Sequence, residues 1–231
     1  MTKKGFHSKC YFCNSPKTST EHYPPRSFYP NGGAGLQLKT VPSCELHNSG
    51  KSSDDQYVLA HISLNTAKGN NLASKRFKES VLPQIKEKDK FAKLISGNSF
   101  DMENGARAYE VNIDKFNLFF DHLVAAIFYK RYEISIDLEL HNVRHNYLNF
   151  DNLNSLDFSL IDLFNKSLGN LLRREEHVIT EEFVYKYDIV DYKTRLGNIT
   201  IQHIFYETFK VESYLTFNLN YYLKNKEKLT S

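Results

Sequence analysis

Cys10-Tyr11-Phe12-Cys13, then Thr20-Glu21-His22-Tyr23-Pro24-Pro25-Arg26, then Leu38-Lys39-Thr40-Val41-Pro42-Ser43-Cys44-Glu45-Leu46-His47-Asn48: these three pieces decide the fold of the first quarter of the chain. Two ligand pairs, each spaced by two residues, bracket an acidic residue joined to a histidine. Each pair can wrap a metal in one tight turn, and three thiolates with one imidazole make a closed tetrahedral zinc set. A buried apolar Cys44 beside a surface His47 is the weaker alternative. Cys10, Cys13, Cys44 and His47 are therefore expected to hold one structural zinc, tying two chain segments together without taking part in chemistry.

The bulk properties agree with a metal-stapled start on a larger soluble chain. The 231 residues include 17 Phe and 15 Tyr but no Trp, and all three cysteines precede residue 45. An odd cysteine count clustered at one end is a poor disulfide framework. No stretch approaches the roughly 18 apolar residues of a membrane span, and Met1 to His7 lacks the apolar core of a signal peptide. A cytoplasmic location with no membrane partner is expected. The net charge of +3 hides an asymmetry. Residues 1–100 carry 15 Lys and Arg against 7 Asp and Glu, whereas residues 101–231 carry 15 against 20. The basic half is the half with the motif, as contact with a phosphate backbone would require. A solvated helix face from Lys75 to Lys93 accounts for the excess equally well.

Three parts are expected: 1–65 as the zinc-stapled module, 66–97 as a helical connector, and 98–231 as a C-terminal α+β domain. Asn31-Gly32-Gly33-Ala34-Gly35 reads as a flexible turn and Leu38 to Val41 as a short strand stopped by Pro42. Asn48 to Asp55 reads as a helix start, with hydroxyl and acidic residues at the positive end of the dipole. Tyr57 to Asn65 and Ser74 to Ile95 read as helices, the second kinked or split at Pro83. Tyr109 to Ile113 is a short strand, and Phe116 to Tyr129 has apolar residues at helical spacing. Ile134 to Leu140 alternates with period two, as a half-buried strand does. Leu156 to Leu172 reads as a helix, and Phe183 to Ile189, Ile199 to Lys210 and Tyr214 to Tyr222 as antiparallel strands with turns at Asn198 and Ser213. The tail from Lys224 is expected to fray.

Glu21 and His22 are adjacent, so on an extended chain they point to opposite sides. One can bind a metal while the other faces water. Asn48 directly follows a zinc ligand, which fixes its position. Carboxylate and amide oxygens are hard ligands suited to Mg or Mn. These groups supply what phosphodiester hydrolysis needs: a base for water, a divalent cation, and a frame holding both in register.

Residues 20–26 with residues 38–55, including Cys44-x-x-His47-Asn48-x-x-Lys51-Ser52-x-x-Asp55, resemble the HNH, or ββα-metal, endonucleases. The similar branch carries a zinc ribbon of the form CxxC…(D/E)H…CxxCN, here with His47 in place of the fourth cysteine. The resemblance covers about residues 8–62. It implies Glu21 and Asn48 as ligands of a catalytic Mg or Mn ion and His22 as the general base. Asp55 stands equally as an additional ligand or as a helix-start residue. Lys51 is expected to meet a phosphate or to cap the local turn, and Arg26 to contact the nucleic acid beside the site. The family's middle position falls near Leu36 or Gln37. The resemblance further implies a nuclease for DNA, with RNA as the alternative, serving phage defence or restriction. The C-terminal part would dimerise or receive a regulatory protein. The rival expectation is a non-catalytic zinc module that binds nucleic acid or protein.

Outside this constellation, His61 and His122 read mainly as packed helix histidines. His141, His145 and His177 lack ligand spacing, and the aromatic strands between 183 and 222 read as core.

Overall fold

The computed structural model describes residues 9–13, 15–66, 69–97, 99–101, 103, 107–136, 140–150, 174–178, 183–191 and 198–218. The helix expected over Leu156 to Leu172 and the tail from Lys224 lie outside the described residues. The architecture is α+β: helices with antiparallel strands.

The N-terminal part is a hairpin followed by a helix. Strand β1 (Ser19–His22) pairs antiparallel with β2 (Thr40–Ser43), Glu21 opposite Val41 and His22 opposite Thr40. Pro42 was expected to stop the second strand. It lies inside it instead, opposite Thr20. A two-stranded ribbon leaves one side of each strand free of ladder bonds, and a proline without an N–H is tolerated there. Its carbonyl is used, accepting from the Tyr11 N–H at 2.9 Å. After a short turn at Ser49–Lys51 comes helix α1 (Ser52–Thr66), buried along most of its length.

Asn70 opens α2 (Asn71–Arg76), its side chain accepting from the Leu72 and Ala73 N–H groups at 2.9 and 3.0 Å. The helix then runs through a wider π-type turn, Phe77–Val81, into α3 (Leu82–Glu87). Pro83 has no N–H for the carbonyl one turn back, and a π turn just before it absorbs that loss without a break. The chain breaks later, at extended Lys88, before α4 (Asp89–Ser96).

Strands β3 (Ser99–Asp101) and β4 (Arg107–Tyr109) form a small hairpin. The strand expected from Tyr109 onward therefore ends at Tyr109, and Ile113 begins helix α5 (Ile113–Tyr132). Asn112 caps α5 through its side chain, and Glu133 ends it in the left-handed conformation with φ 58°. Phe116, Phe119, Phe120, Leu123, Val124 and Ile127 are buried, which matches the helical spacing.

A five-stranded antiparallel sheet follows, in the order β5-β9-β8-β7-β6. Its strands are β5 (His141–Tyr147), β6 (Arg174–Val178), β7 (Tyr185–Asp191), β8 (Ile199–Phe205) and β9 (Phe209–Phe217). The strand expected at Ile134 to Leu140 is displaced. Ile134 is exposed and Ile136 buried, so the two do not share one face as a period-two strand requires, and pairing with β9 starts only at His141, opposite Phe217. The turn expected at Ser213 is also displaced. Ser213 lies inside β9, and the reversal is at Tyr206 and Glu207, with φ 47° and 64°. Two consecutive left-handed residues give the hairpin turn whose twist matches its strands. Among the described residues no helix is long and apolar enough to cross a membrane.

The buried apolar side chains make one cluster running from Cys10 to Leu215. Phe28, from the N-terminal segment, stacks on Phe119 of α5 at 5.3 Å and meets Phe205 of β8 at 5.2 Å. The core is thus continuous across the boundaries expected near residues 65 and 97.

Candidate metal centre and adjoining pocket

The first knuckle is built from backbone bonds. The Cys10 N–H donates to the Ser15 carbonyl at 2.7 Å, closing a tight turn. Tyr11 and Thr18 then tie that turn to Pro42 and Ser43 of β2. The second knuckle, Cys44 to His47, continues from the end of β2. The two turns face each other, and the ligand atoms of Cys10, Cys13, Cys44 and His47 all lie within 4.8 Å of one another. Cys13 Sγ is 3.7 Å from Cys44 Sγ, and His47 Nδ1 is 3.7 Å from Cys10 Sγ and 3.3 Å from Cys44 Sγ. A tetrahedron with metal–sulfur arms of about 2.3 Å has edges of about 3.8 Å. The donor set therefore fits a structural metal such as zinc.

The cluster rests on α5. The Tyr11 hydroxyl and His122 Nδ1 share a hydrogen bond of 2.7 Å, and Phe12 stacks on the His122 ring at 4.2 Å and lies 4.8 Å from His47. Burial, with Lys51 and His47 adding to it, pushes His122 down to about 2, so its imidazole is neutral. His122 thus packs as a helix histidine, and its neighbour is the metal knuckle.

Strand β1 separates the two adjacent candidates. Glu21 is buried and His22 is half-buried on the other side of the strand. Behind the hairpin, Lys51 Nζ lies 2.9 Å from Glu21 Oε1 and 2.7 Å from Asp55 Oδ2, and all three residues are 6–7% exposed. Burial pushes Glu21 up to about 7, with Lys51 pulling the other way. Burial raises Asp55 as well. Burial alone would lower Lys51, but the Asp55 and Glu21 carboxylates outweigh it and raise it. Lys51 therefore keeps its proton, and two carboxylates converge on one cation. Asn48 is tied to β1, its Nδ2 donating to the Thr20 carbonyl at 3.4 Å.

On the opposite side, His22 and Arg26 line a pocket of about 470 Å³ whose far wall is Gly33 to Leu38. Arg26 is held there by its Nε, which donates to the Gly32 carbonyl at 2.9 Å. Gly33 has φ +70°, and a Cβ on it would fall 2.6 Å from Leu38 Cδ1. The wall needs glycine at that position. Burial lowers the His22 pKa and Arg26 lowers it further, leaving a neutral imidazole at neutral pH.

Of the residues singled out from the sequence, Glu21, Lys51 and Asp55 come together as a buried trio, and His22 and Arg26 share the pocket. Leu36 and Gln37, near the position the resemblance marks, lie in the pocket wall. Lys51 was expected at a phosphate or a turn and is found between two carboxylates. The role of the Gly33 to Leu38 wall was missed. Its signal was present in Asn31-Gly32-Gly33-Ala34-Gly35, read only as a turn. The chain matches no protein-family model, no curated protein and no solved structure.

Proposed function

We infer that this chain is a metal-dependent endonuclease that hydrolyses phosphodiester bonds, with DNA as the first substrate to test. The observation that carries the reading is the division of labour on β1. Glu21 turns inward to a cation seat shared with Asp55, while neutral His22 turns outward into a pocket beside Arg26. In this reading His22 Nδ1 or Nε2 takes a proton from the attacking water. Arg26 holds a phosphate oxygen. Glu21, Asn48 and Asp55 are the oxygen donors for Mg or Mn, which when bound stabilises charge on the phosphate. The Cys10, Cys13, Cys44 and His47 cluster fixes the hairpin and the start of α1 so that these groups stay in register.

A second reading is a zinc module that binds nucleic acid without cutting it. It is favoured by Lys51, which already neutralises one of the two buried carboxylate charges. Supercoiled plasmid incubated with the zinc-loaded protein and Mg or Mn separates the two. Nicking is expected for the wild type, with a loss of roughly 10²- to 10⁴-fold in His22→Ala. Binding without cleavage, unchanged in His22→Ala, would favour the second reading.

A further inference from the structure

A line of polar groups crosses the apolar face of the sheet under α5. Asp121 of α5 meets His145 of β5, Oδ1 to Nε2 at 3.0 Å. His145 Nδ1 lies 2.8 Å from Ser213 Oγ on β9. Ser213 Oγ lies 3.0 Å from His203 Nε2 on β8, and His203 Nδ1 lies 2.7 Å from the Tyr185 hydroxyl on β7. The register builds the line. His145 stands opposite Ser213, Ser213 opposite Ile201 with His203 two residues on, and His203 opposite Tyr187 with Tyr185 two residues away. Ser213, His203 and Tyr185 are fully buried. The His145 side chain is 3% exposed and that of Asp121 29%, so solvent reaches the line at its Asp121 end.

Valence fixes the order of the hydrogens. An ionised carboxylate can only accept, so His145 carries its hydrogen on Nε2 and, in the neutral ring, accepts at Nδ1. Ser213 spends its single hydroxyl hydrogen on that nitrogen and so accepts from His203 Nε2. Burial holds His203 neutral, so its Nδ1 accepts from the Tyr185 hydroxyl. Every bond points toward Asp121. No other charge on the page competes for His145. The neighbouring Tyr147 hydroxyl donates to Asn117 at 2.8 Å. Arg144 and Glu212 alternate to the opposite face of their strands, where Gln202 and Tyr214 hold Glu212.

We propose that this line is a pH-sensitive switch: a proton taken up by His145 reverses every bond from Ser213 to Tyr185 and changes the tautomer of the wholly buried His203. The imidazolium presents an N–H to Ser213 Oγ. Ser213 has no third partner among the described residues, so the old order would strand its hydroxyl hydrogen beside a cation. Turning that hydroxyl to His203 Nε2 points each O–H and N–H dipole away from the positive charge, and bonds so aligned reinforce one another. His203 then carries its hydrogen on Nδ1 and donates to Tyr185. The balance is one proton gained from water, held by His145. His203 relocates its own hydrogen by exchange with water in transient openings, and Ser213 and Tyr185 keep one each. The Tyr185 hydrogen is released from His203. Tyr23, Tyr29 and Tyr187 act on that hydroxyl electrostatically, and the buried Tyr29 hydroxyl has no hydrogen-bond partner among the described residues. The proton state of one surface pair is thereby passed to the N-terminal segment that carries Arg26.

Long-range proton–nitrogen spectra of the zinc-loaded full chain, labelled with ¹⁵N-histidine, read each tautomer directly. Near pH 8, His203 is expected with hydrogen on Nε2. As the pH falls to about 5, His145 should become doubly protonated, and His203 should move to the Nδ1–H form with the same midpoint. In Ser213→Ala, His145 should still titrate while His203 keeps one tautomer throughout. An Nδ1–H form of His203 near pH 8 would overturn the assigned order. A His203 tautomer that is unmoved while His145 titrates would overturn the switch, as would a His145 that stays neutral until the chain unfolds. Persistence of the His203 change in Ser213→Ala would show that it does not travel along this line. The wild-type spectra stand without any variant, so a folding defect in Ser213→Ala does not rescue the proposal.

Discussion

His61 sits on α1 at 3% exposure, among the rings of Tyr57 and Phe116, and its Nε2 has no hydrogen-bond partner among the described residues. Burial pushes its pKa down to about 4. The folded value lies below the unfolded one of about 6.5. Stability from keeping the ring neutral is therefore fully present above about pH 6.5 and is lost as the pH falls toward 4, by up to about 1.4 kcal/mol per pH unit. His61→Phe should lose less unfolding temperature between pH 7 and pH 5 than wild type does, the remaining fall coming from His122 and His203, which burial also holds neutral. Scanning calorimetry at both pH values checks this. At this scale the sequence was legible where chemistry follows from neighbours along the chain. The opposite facing of Glu21 and His22 needs only the alternation of an extended strand. The pairing of Lys51 with Glu21 was hidden, because it depends on how the hairpin lies against the start of α1. The turn at Tyr206 and Glu207 was hidden too, since neither residue favours a left-handed backbone. Tyr206 is held there by tertiary contacts: its hydroxyl donates to the Phe28 carbonyl at 2.8 Å, and its own carbonyl accepts from Asn70 at 2.9 Å.

At the scale of elements, the ligand spacings were the most legible feature, and the two knuckles meet as those spacings require. The β1–β2 hairpin contributes few buried apolar residues of its own, Val41 among them, so its position depends on the cluster. Cys44→Ser should lower bound zinc below one ion per chain and reduce the melting temperature by on the order of ten degrees. Metal analysis and thermal unfolding of the same sample report both. Wild type treated with a strong chelator should resemble the variant. Helix α5 was legible because its apolar spacing is unbroken over five turns. Ile199 to Lys210 read as one strand because β8 and β9 are both rich in apolar and aromatic residues and no glycine marks their turn. Strand β6 gave no signal: Arg174-Glu175-Glu176 looks like a solvated segment, and its pairing is dictated by β7.

For the whole molecule, the decisive contact is Phe28 between α5 and β8. It is fully buried, and truncating a buried phenylalanine costs about 3–5 kcal/mol. Phe28→Ala should lower the stability of the entire chain by that amount in a single urea transition, with zinc content unchanged. Two separate transitions would instead mark independently folding halves. Residues 1–65 read from their ligand spacing as a zinc-stapled module. What composition could not convey is that its aromatic residues, Tyr11, Phe28 and Tyr29, are core residues of the larger body.

The bond from the Tyr206 hydroxyl to the Phe28 carbonyl joins residues 178 positions apart. A fragment that stops short of the five-stranded sheet would strip Phe28 of the Tyr206 hydroxyl on its carbonyl and of the Phe205 ring beside its own.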